Sequence, residues 1–88
     1  MAADPLATVY SKPDYQGASF GITIIGECVA VSERAEFYYG ARSIQMNTPL
    51  YCFLYLEPDC TGTQHVPLTS SRPYLGPMVR GVLCFQRA

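Results

Sequence analysis

Four cysteines and one histidine are the residues of this chain whose side chains are most open to chemistry: Cys28, Cys52, Cys60, Cys84 and His65. A structural zinc site prefers cysteines roughly two to four residues apart, whereas the nearest two cysteines here are eight residues apart. Zinc is therefore not expected. The four thiols allow three complete pairings, and sequence does not choose among them. We expect most of them to be small hydrophobic residues of the core, with disulfides only if the protein is secreted.

Catalysis is not expected from these residues. A nucleophilic site needs a cysteine or serine beside a base that a third group orients. His65 is the sole imidazole, and a lone histidine in a predicted strand is more often a tolerated residue of the sheet. Cys60 lies in a predicted exposed hairpin, where a thiol is open to reaction. Packing is the better interpretation, because an internal repeat aligns Cys60 with a structural tyrosine.

Composition predicts one small globular domain covering residues 1–88. Hydrophobic residues make up 49% of the chain and charged residues 15%, which excludes a disordered chain. The net charge is −1 and the six basic residues do not cluster, so neither nucleic acid nor an anionic membrane surface is an expected partner. We expect a monomer or a weak homodimer.

The first residues lack the basic and apolar regions of a signal peptide, and no apolar run approaches the roughly 18 residues of a membrane span. These observations favour a cytoplasmic location. Secretion stays open as the alternative, since a signal peptide could already have been removed.

A nine-residue segment recurs in the chain. The letters VYSKPDYQG at 9–17 return as LYLEPDCTG at 54–62. The shared positions are Tyr10, Pro13, Asp14 and Gly17, with counterparts 45 residues later at Tyr55, Pro58, Asp59 and Gly62. Because the repeat carries turn-forming residues, it predicts two copies of one supersecondary unit.

Short β-rich segments surround both copies. Strands are predicted at 7–11, 18–24, 27–32, 42–47, 51–56, 63–67 and 79–86, because these segments are rich in β-branched and aromatic residues between turn signals. A helical turn is expected within 32–39. Each copy then has the strand order of a Greek key, at about 7–47 and 51–86. The fold class is all-β, with two Greek keys forming a sandwich.

The first copy resembles the Greek key of the βγ-crystallins, in which an aromatic-x4-aromatic-x-Gly hairpin is followed by a serine that opens the fourth strand. Four residues of the first copy match this pattern: Tyr10, Tyr15, Gly17 and Ser43. In the second copy Tyr55 and Gly62 match, while Cys60 and Gly81 stand where an aromatic and a serine are expected. The resemblance covers about residues 7–86 and is to single-domain microbial members, with the fungal perithecial type as a candidate.

The hairpin residues have physical roles that do not depend on the family. Gly17 and Gly62 can adopt a positive φ, which a tight folded hairpin requires. The Tyr10 ring is expected to pack on Tyr15, and the Ser43 hydroxyl to bond the hairpin backbone. Because Cys60 and Gly81 remove both of these ties, we expect the second hairpin to be the less rigid one.

Calcium-binding members of the family carry Asn/Asp-Asn/Asp-x-x-Ser/Thr-Ser before the fourth strand. The corresponding residues here are Tyr38, Tyr39, Arg42 and Ser43 in the first copy, and Gly76, Pro77, Arg80 and Gly81 in the second. Ca²⁺ prefers several oxygen ligands, including a carboxylate, and both copies place a fixed positive charge at that position instead. We expect both sites to be disabled, leaving the protein without a cofactor.

Arg42 and Arg80 have two interpretations. Each could take over the structural role of the lost ion by pairing with Asp14, Glu57 or Asp59, or by capping loop carbonyl groups. Equally, each could be an ordinary exposed arginine beside a strand.

Strand alternation predicts which side chains face the core. The expected inward residues are Ala7, Val9, Ile44, Met46, Cys52, Leu54, Val82 and Cys84. This places Cys52 and Cys84 on one core face, so they are the preferred disulfide pair if one exists. The aromatic run at 37–39 is expected to fill the core beneath a long connection, with a binding surface as the alternative.

The resemblance implies a non-catalytic structural or stress-related protein that has lost its calcium dependence. The alternative is a secreted antimicrobial toxin or protease inhibitor on the same fold. That alternative predicts oxidised cysteines and an exposed rigid loop, for which residues 69–74 are the candidate.

Overall fold

Six β-strands form two antiparallel sheets in the computed structural model, which describes residues 5–38, 40–61, 68–75 and 79–86. The strands are β1 (Ala7–Lys12), β2 (Gln16–Ile22), β3 (Cys28–Ala30), β4 (Ser43–Met46), β5 (Leu50–Tyr55) and β6 (Gly81–Gln86). The first sheet has the order β2-β1-β4 and the second has the order β3-β6-β5. The prediction of an all-β sandwich of two Greek keys is confirmed. Within the described ranges no helix has the length and apolar character needed to cross a membrane.

Each sheet includes a segment from the other copy of the repeat. β3 comes from the first copy, yet it pairs with β6 of the second, with Cys28 opposite Leu83. In return, Arg72 from the second copy forms a bridge to Ile44 in β4, with N–O distances of 3.0 and 2.8 Å. Because of this exchange, both sheets contain residues of both copies, and the two copies form one core.

The strand boundaries differ from the predicted ones where the chain leaves a sheet. The predicted strand at 27–32 is extended only over β3, after which two 3₁₀ turns follow at Val31–Glu33 and Ala35–Phe37. These turns confirm the helical turn expected in that region. The predicted strand at 79–86 begins at Gly81, and the preceding Val79 forms an isolated bridge to Ala41. The predicted strand at 63–67 lies outside the described residues.

Side chains of both sheets meet in one core. The inward residues of β1 and β5 alternate with half-buried ones, as the period of a strand requires. The buried hydrophobic residues are Ala7, Val9, Ile22, Val31, Phe37, Ala41, Ile44, Leu50, Cys52, Leu54, Leu68, Leu75, Val79, Val82 and Cys84. Met46 is half-buried and packs against this cluster. The residues predicted to face inward are therefore buried or packed against the core.

Candidate functional site

The first hairpin, between β1 and β2, is folded by a left-handed backbone. Asp14 and Tyr15 have φ values of 59° each, and Gly17 has a φ of 81°. A Cβ on Gly17 would lie 2.4 Å from the Ser11 Oγ, so both the conformation and the space require glycine there. The Tyr10 and Tyr15 rings meet edge to face, with centroids 5.7 Å apart and planes at 66°. This is a favourable aromatic geometry that closes one side of the hairpin.

Ser43, the first residue of β4, ties this hairpin to that strand. Its side chain is fully buried. Its hydroxyl donates to the Lys12 carbonyl oxygen at 2.7 Å and accepts from the Tyr15 N–H at 3.1 Å. One hydroxyl therefore satisfies a donor and an acceptor of the turn, which would otherwise lack partners in a partly buried position.

The second hairpin achieves the same closure without a serine. Cys60, the counterpart of Tyr15, has a φ of 60°, so the two turns share their backbone conformation. Here the Cys60 N–H donates directly to the Glu57 carbonyl oxygen at 3.1 Å. Those two atoms correspond to the pair that Ser43 bridges in the first copy. Gly81 lies against them, and a Cβ on Gly81 would be 2.5 Å from the Glu57 oxygen.

All four cysteines are paired in disulfides, so the expectation that most of them are core thiols is wrong, although Cys52 and Cys84 lie in the core. Cys52 and Cys84 are directly opposite in β5 and β6, are buried, and form one disulfide. The other disulfide joins the exposed Cys28 of β3 to the half-buried Cys60 of the second hairpin. This second pairing depends on the exchange of β3 between the sheets, which brings together residues that their spacing does not relate.

These ties bear on the predicted rigidity of the second hairpin. The second hairpin lacks the aromatic contact and the serine hydroxyl of the first, but the Cys60–Glu57 hydrogen bond and the Cys28–Cys60 disulfide hold it instead. The relative rigidity of the two hairpins stays a prediction.

The two degenerate calcium positions are related by the approximate symmetry of the repeat. The Arg42 N–H donates to the Tyr10 carbonyl oxygen at 2.9 Å, and the Arg80 N–H donates to the Tyr55 carbonyl oxygen at 3.0 Å. The carbonyl oxygen of each arginine accepts a bond of 2.8 Å from the opposite copy. The backbones of the two arginines therefore occupy equivalent positions. The surroundings of their guanidinium groups differ because the neighbouring side chains differ.

The loops before β4 and β6 meet at a short backbone contact. The Ala41 N–H donates to the Val79 carbonyl oxygen at 2.7 Å, and both residues are fully buried. Ala41 and Val79, one residue from each motif segment, thus lie against each other in the buried interior. Tyr39, Gly76 and Pro77, three residues of those motifs, lie outside the described residues, as do Gly62 and His65.

Arg42 occupies the first of these positions. Its guanidinium carbon lies 5.8 Å from the centre of the Tyr74 ring, within the range of a cation–π contact. Its Nε atom is buried and has no hydrogen-bond partner. The expectation that Arg42 pairs with Asp14, Glu57 or Asp59, or caps loop carbonyl groups, stays a prediction.

Arg80 lines a cavity at the second position. The cavity has a volume of about 170 Å³, and among the described residues Ser32, Tyr38 and Pro58 also line it. Tyr38 is 70% exposed. The predicted aromatic cluster is therefore divided, because Phe37 is buried in the core and packs edge-on against Phe20, with centroids 5.0 Å apart.

Metal-binding side chains do not converge anywhere in the described ranges. No group of three or more His, Cys, Asp or Glu residues that could hold a metal ion occurs among residues 5–38, 40–61, 68–75 and 79–86. The side chains described at the two degenerate positions are a serine, a tyrosine and two arginines, which are not a ligand set that suits Ca²⁺.

A cluster of aromatic residues on the outer face of the second sheet was missed from sequence. Tyr51 stacks on Phe85 at 5.5 Å, and Phe53 meets both rings edge-on at 5.8 and 6.0 Å. The sequence signal that could have revealed this cluster is the alternation around the inward Cys52, because it places residues 51 and 53 together on the opposite face. The outer face of the first sheet differs, since Tyr10 there donates its hydroxyl to Gln45 at 3.0 Å.

Comparison with known proteins gives matches in structure alone. No protein-family model matches the chain, and no curated protein matches it in sequence. A βγ-crystallin domain from Flavobacterium johnsoniae is similar in structure, with a TM-score of 0.76 and 18% identity over 94% of this chain and 97% of that one. A βγ-crystallin domain from Clostridium beijerinckii has a TM-score of 0.70 and 19% identity over 91% and 97%.

The N-terminal domain of protein S is a further similar structure. It has a TM-score of 0.69 and 17% identity, covering 91% of this chain and 94% of that one. At such low identity these similarities establish the fold, while the site of this chain has to be judged from its own residues.

Proposed function

Because the chain has the βγ-crystallin fold, we propose that it is a non-catalytic structural or stress-related protein whose two calcium-binding positions are disabled. The observation that carries this proposal is the arginine at both positions. In the first copy Arg42 brings a guanidinium to the place where calcium-binding members provide a hydroxyl oxygen. Its side chain lies against Tyr74, with the Nε atom buried. An arginine at the position of an oxygen ligand places a fixed positive charge near the site, and this charge opposes the binding of a divalent cation.

A calcium titration followed by calorimetry and thermal unfolding tests this proposal. We expect no binding heat at micromolar calcium and no change in the unfolding midpoint between chelator and calcium. A ligand that binds only the folded state raises stability, by about 2.7 kcal/mol at 100 times its Kd. Micromolar affinity together with a midpoint raised by several degrees would therefore overturn the proposal.

A variant with restored ligands provides the matched control. The substitutions Tyr38→Asn, Tyr39→Asp and Arg42→Ser place the family's ligand types in the first copy and leave the second unchanged. If the side-chain chemistry alone disables the site, this variant gains calcium affinity that the unmodified protein lacks. Equal behaviour of a folded triple variant and the unmodified protein would mean that something other than these side chains prevents binding.

The absence of catalysis is supported by the state of the cysteines. All four are in disulfides, so none offers a thiolate nucleophile while oxidised. The proposal predicts no hydrolytic turnover of ester, peptide or phosphate substrates above background.

The paired cysteines also favour an oxidising compartment. Disulfides persist in secreted and periplasmic proteins and are rare in the cytosol, and small domains use them to supplement a limited core. This proposal differs from the cytoplasmic location that was expected from the sequence. A thiol titration of natively produced protein, denatured without reductant, tests it. Four free thiols would contradict this proposal and support the cytoplasmic location instead.

The second candidate function is a secreted antimicrobial toxin or protease inhibitor. Two observations favour it, namely the two disulfides and the well-anchored segment at 69–74. In that segment the Ser71 Oγ accepts from the Met46 N–H at 2.8 Å, and the Pro73 carbonyl oxygen accepts from the Asp14 N–H at 2.7 Å. Tyr74 remains 58% exposed. Growth inhibition or protease inhibition by the oxidised protein, lost when Tyr74 is replaced by alanine, would support this candidate.

A further inference from the structure

The two disulfides of the domain differ in their accessibility. Cys52 is fully buried and Cys84 is 1% exposed, whereas Cys28 is exposed and Cys60 is half-buried. We propose that Cys28–Cys60 is a site of thiol–disulfide exchange with dithiol reductants, whereas Cys52–Cys84 stays oxidised as long as the domain is folded. Exposed disulfides are in general the ones that exchange.

Exchange requires direct access of a thiolate to one sulfur of the disulfide. At Cys52–Cys84 the core covers both residues, which face each other on the central strand β6 and the edge strand β5. A reductant reaches them only after these two strands separate and the core beneath them opens. At Cys28–Cys60, by contrast, the side chain of Cys28 is exposed in the native fold.

The exchange has a preferred direction. Cys28 is the exposed residue of the pair and Cys60 is half-buried, so we expect attack at the Sγ of Cys28. The Pro58 carbonyl oxygen lies 3.3 Å from that sulfur in an exposed contact. The reductant's thiolate forms a bond to that sulfur, the original S–S bond breaks, and Cys60 leaves as a thiolate. The second thiol of the reductant then attacks its own sulfur in the mixed disulfide and releases Cys28. Two electrons pass to the protein, and the reductant ends as a disulfide.

Reduction removes a tie between the two copies of the repeat. Cys28 belongs to β3 of the first copy and Cys60 to the hairpin of the second, so this bond crosslinks the exchanged strand to that hairpin. Cys60 also has a left-handed φ of 60°, which is unfavourable for a residue other than glycine. We therefore expect reduction to loosen the second hairpin and β3. The first hairpin has a different tie, the hydrogen bond from Asp14 to Pro73.

Graded reduction of the folded, oxidised protein tests the proposal. The protein is treated with increasing dithiothreitol, quenched by alkylation, and mapped by peptide mass spectrometry. We expect a folded species labelled only at Cys28 and Cys60, with labelling of Cys52 and Cys84 slower by at least about 100-fold, because it requires the separation of β5 from β6 and opening of the core, and core elements open rarely. Simultaneous labelling of all four cysteines, or earlier labelling of Cys52 and Cys84, would overturn the proposal.

Two variants make the assignment specific. The double substitution Cys28→Ser and Cys60→Ser removes the exchange site, so this variant, while folded, should show no early alkylation. Rapid labelling of the remaining pair would contradict the proposal. Cys52→Ala with Cys84→Ala should retain early labelling of Cys28 and Cys60. If this variant does not fold, the order of labelling in the unmodified protein decides the question by itself.

Discussion

Replacing Gly81 with serine should destabilise the domain, although it restores the residue that the family pattern expects. In the first copy the hydroxyl of Ser43 fills a gap between Lys12 and Tyr15. In the second copy that gap is closed, because the Cys60 N–H bonds the Glu57 carbonyl oxygen directly. Any side chain on Gly81 has to enter this closed turn.

The magnitude follows from three distances. A Cβ on Gly81 would lie 2.5 Å from the Glu57 oxygen, 3.1 Å from the Cys60 Sγ and 3.2 Å from the Cys60 nitrogen. Two of these neighbours are backbone atoms, so either the hairpin moves away and breaks its hydrogen bond, or β6 shifts. Overpacking of this kind costs about 1–3 kcal/mol, and a contact of 2.5 Å with a backbone oxygen places this case in the upper half of that range, at about 2–3 kcal/mol. New bonds from the hydroxyl recover about 1 kcal/mol. The net loss of about 1–2 kcal/mol lowers the midpoint by about 4–16 °C for a domain of this size.

Thermal unfolding of the oxidised protein, followed by circular dichroism or calorimetry, measures this effect. Gly81→Ala is the matched control, because it adds the Cβ without the hydroxyl. Both variants should be less stable than the unmodified protein, with the alanine variant equal to or below the serine variant. An unchanged or raised midpoint for Gly81→Ser would refute the reasoning, since it would mean that the second turn reopens at no cost and accepts the serine as the first turn does.

Further substitutions test the other ties. Ser43→Ala leaves the Tyr15 N–H and the Lys12 oxygen without their partner, so unfolding should cost about 2–3 kcal/mol less. A loss below about 1 kcal/mol would mean that the turn closes directly, as in the second copy. Tyr15→Leu removes the edge-to-face contact with Tyr10 and should lower stability by about 0.5–1.5 kcal/mol, and an equal loss when Tyr10 is already leucine would contradict a pairwise contact. Phe37→Ala should cost about 3–5 kcal/mol, because the ring is 1% exposed, and a loss under 1 kcal/mol in chemical denaturation would exclude its role in the core.

Much of the fold was predictable because its determinants are local. Alternation along β1 and β5 identifies inward residues such as Val9 and Leu54 without any knowledge of their partners, and both are buried. The Pro-Asp-x-x-Gly turns are local signals too, since a left-handed backbone and a glycine are needed wherever such a turn folds. The repeat then relates the two halves, and the φ values of Tyr15 and Cys60 agree to within 1°.

The calcium positions were predictable to the level of residue type. Arg42 stands where an oxygen ligand is required, and the charge of arginine is independent of context. Its surroundings were not predictable from the chain. The proposed carboxylate partners were chosen by chemical complementarity, whereas the guanidinium lies near the ring of Tyr74, which sequence alone did not place beside it.

What the sequence by itself determined is therefore the set of local elements: the inward faces, the two folded turns and the missing ligands. Only the tertiary structure decided which of those elements meet. The exchange of β3 between the sheets places Cys28 beside Cys60. The packing of β6 against the second hairpin places Gly81 on its closed turn. The physical reason is that a strand's periodicity states which side is buried but carries no information about its neighbour. Which strand becomes the neighbour is decided by how the two sheets pack around one core.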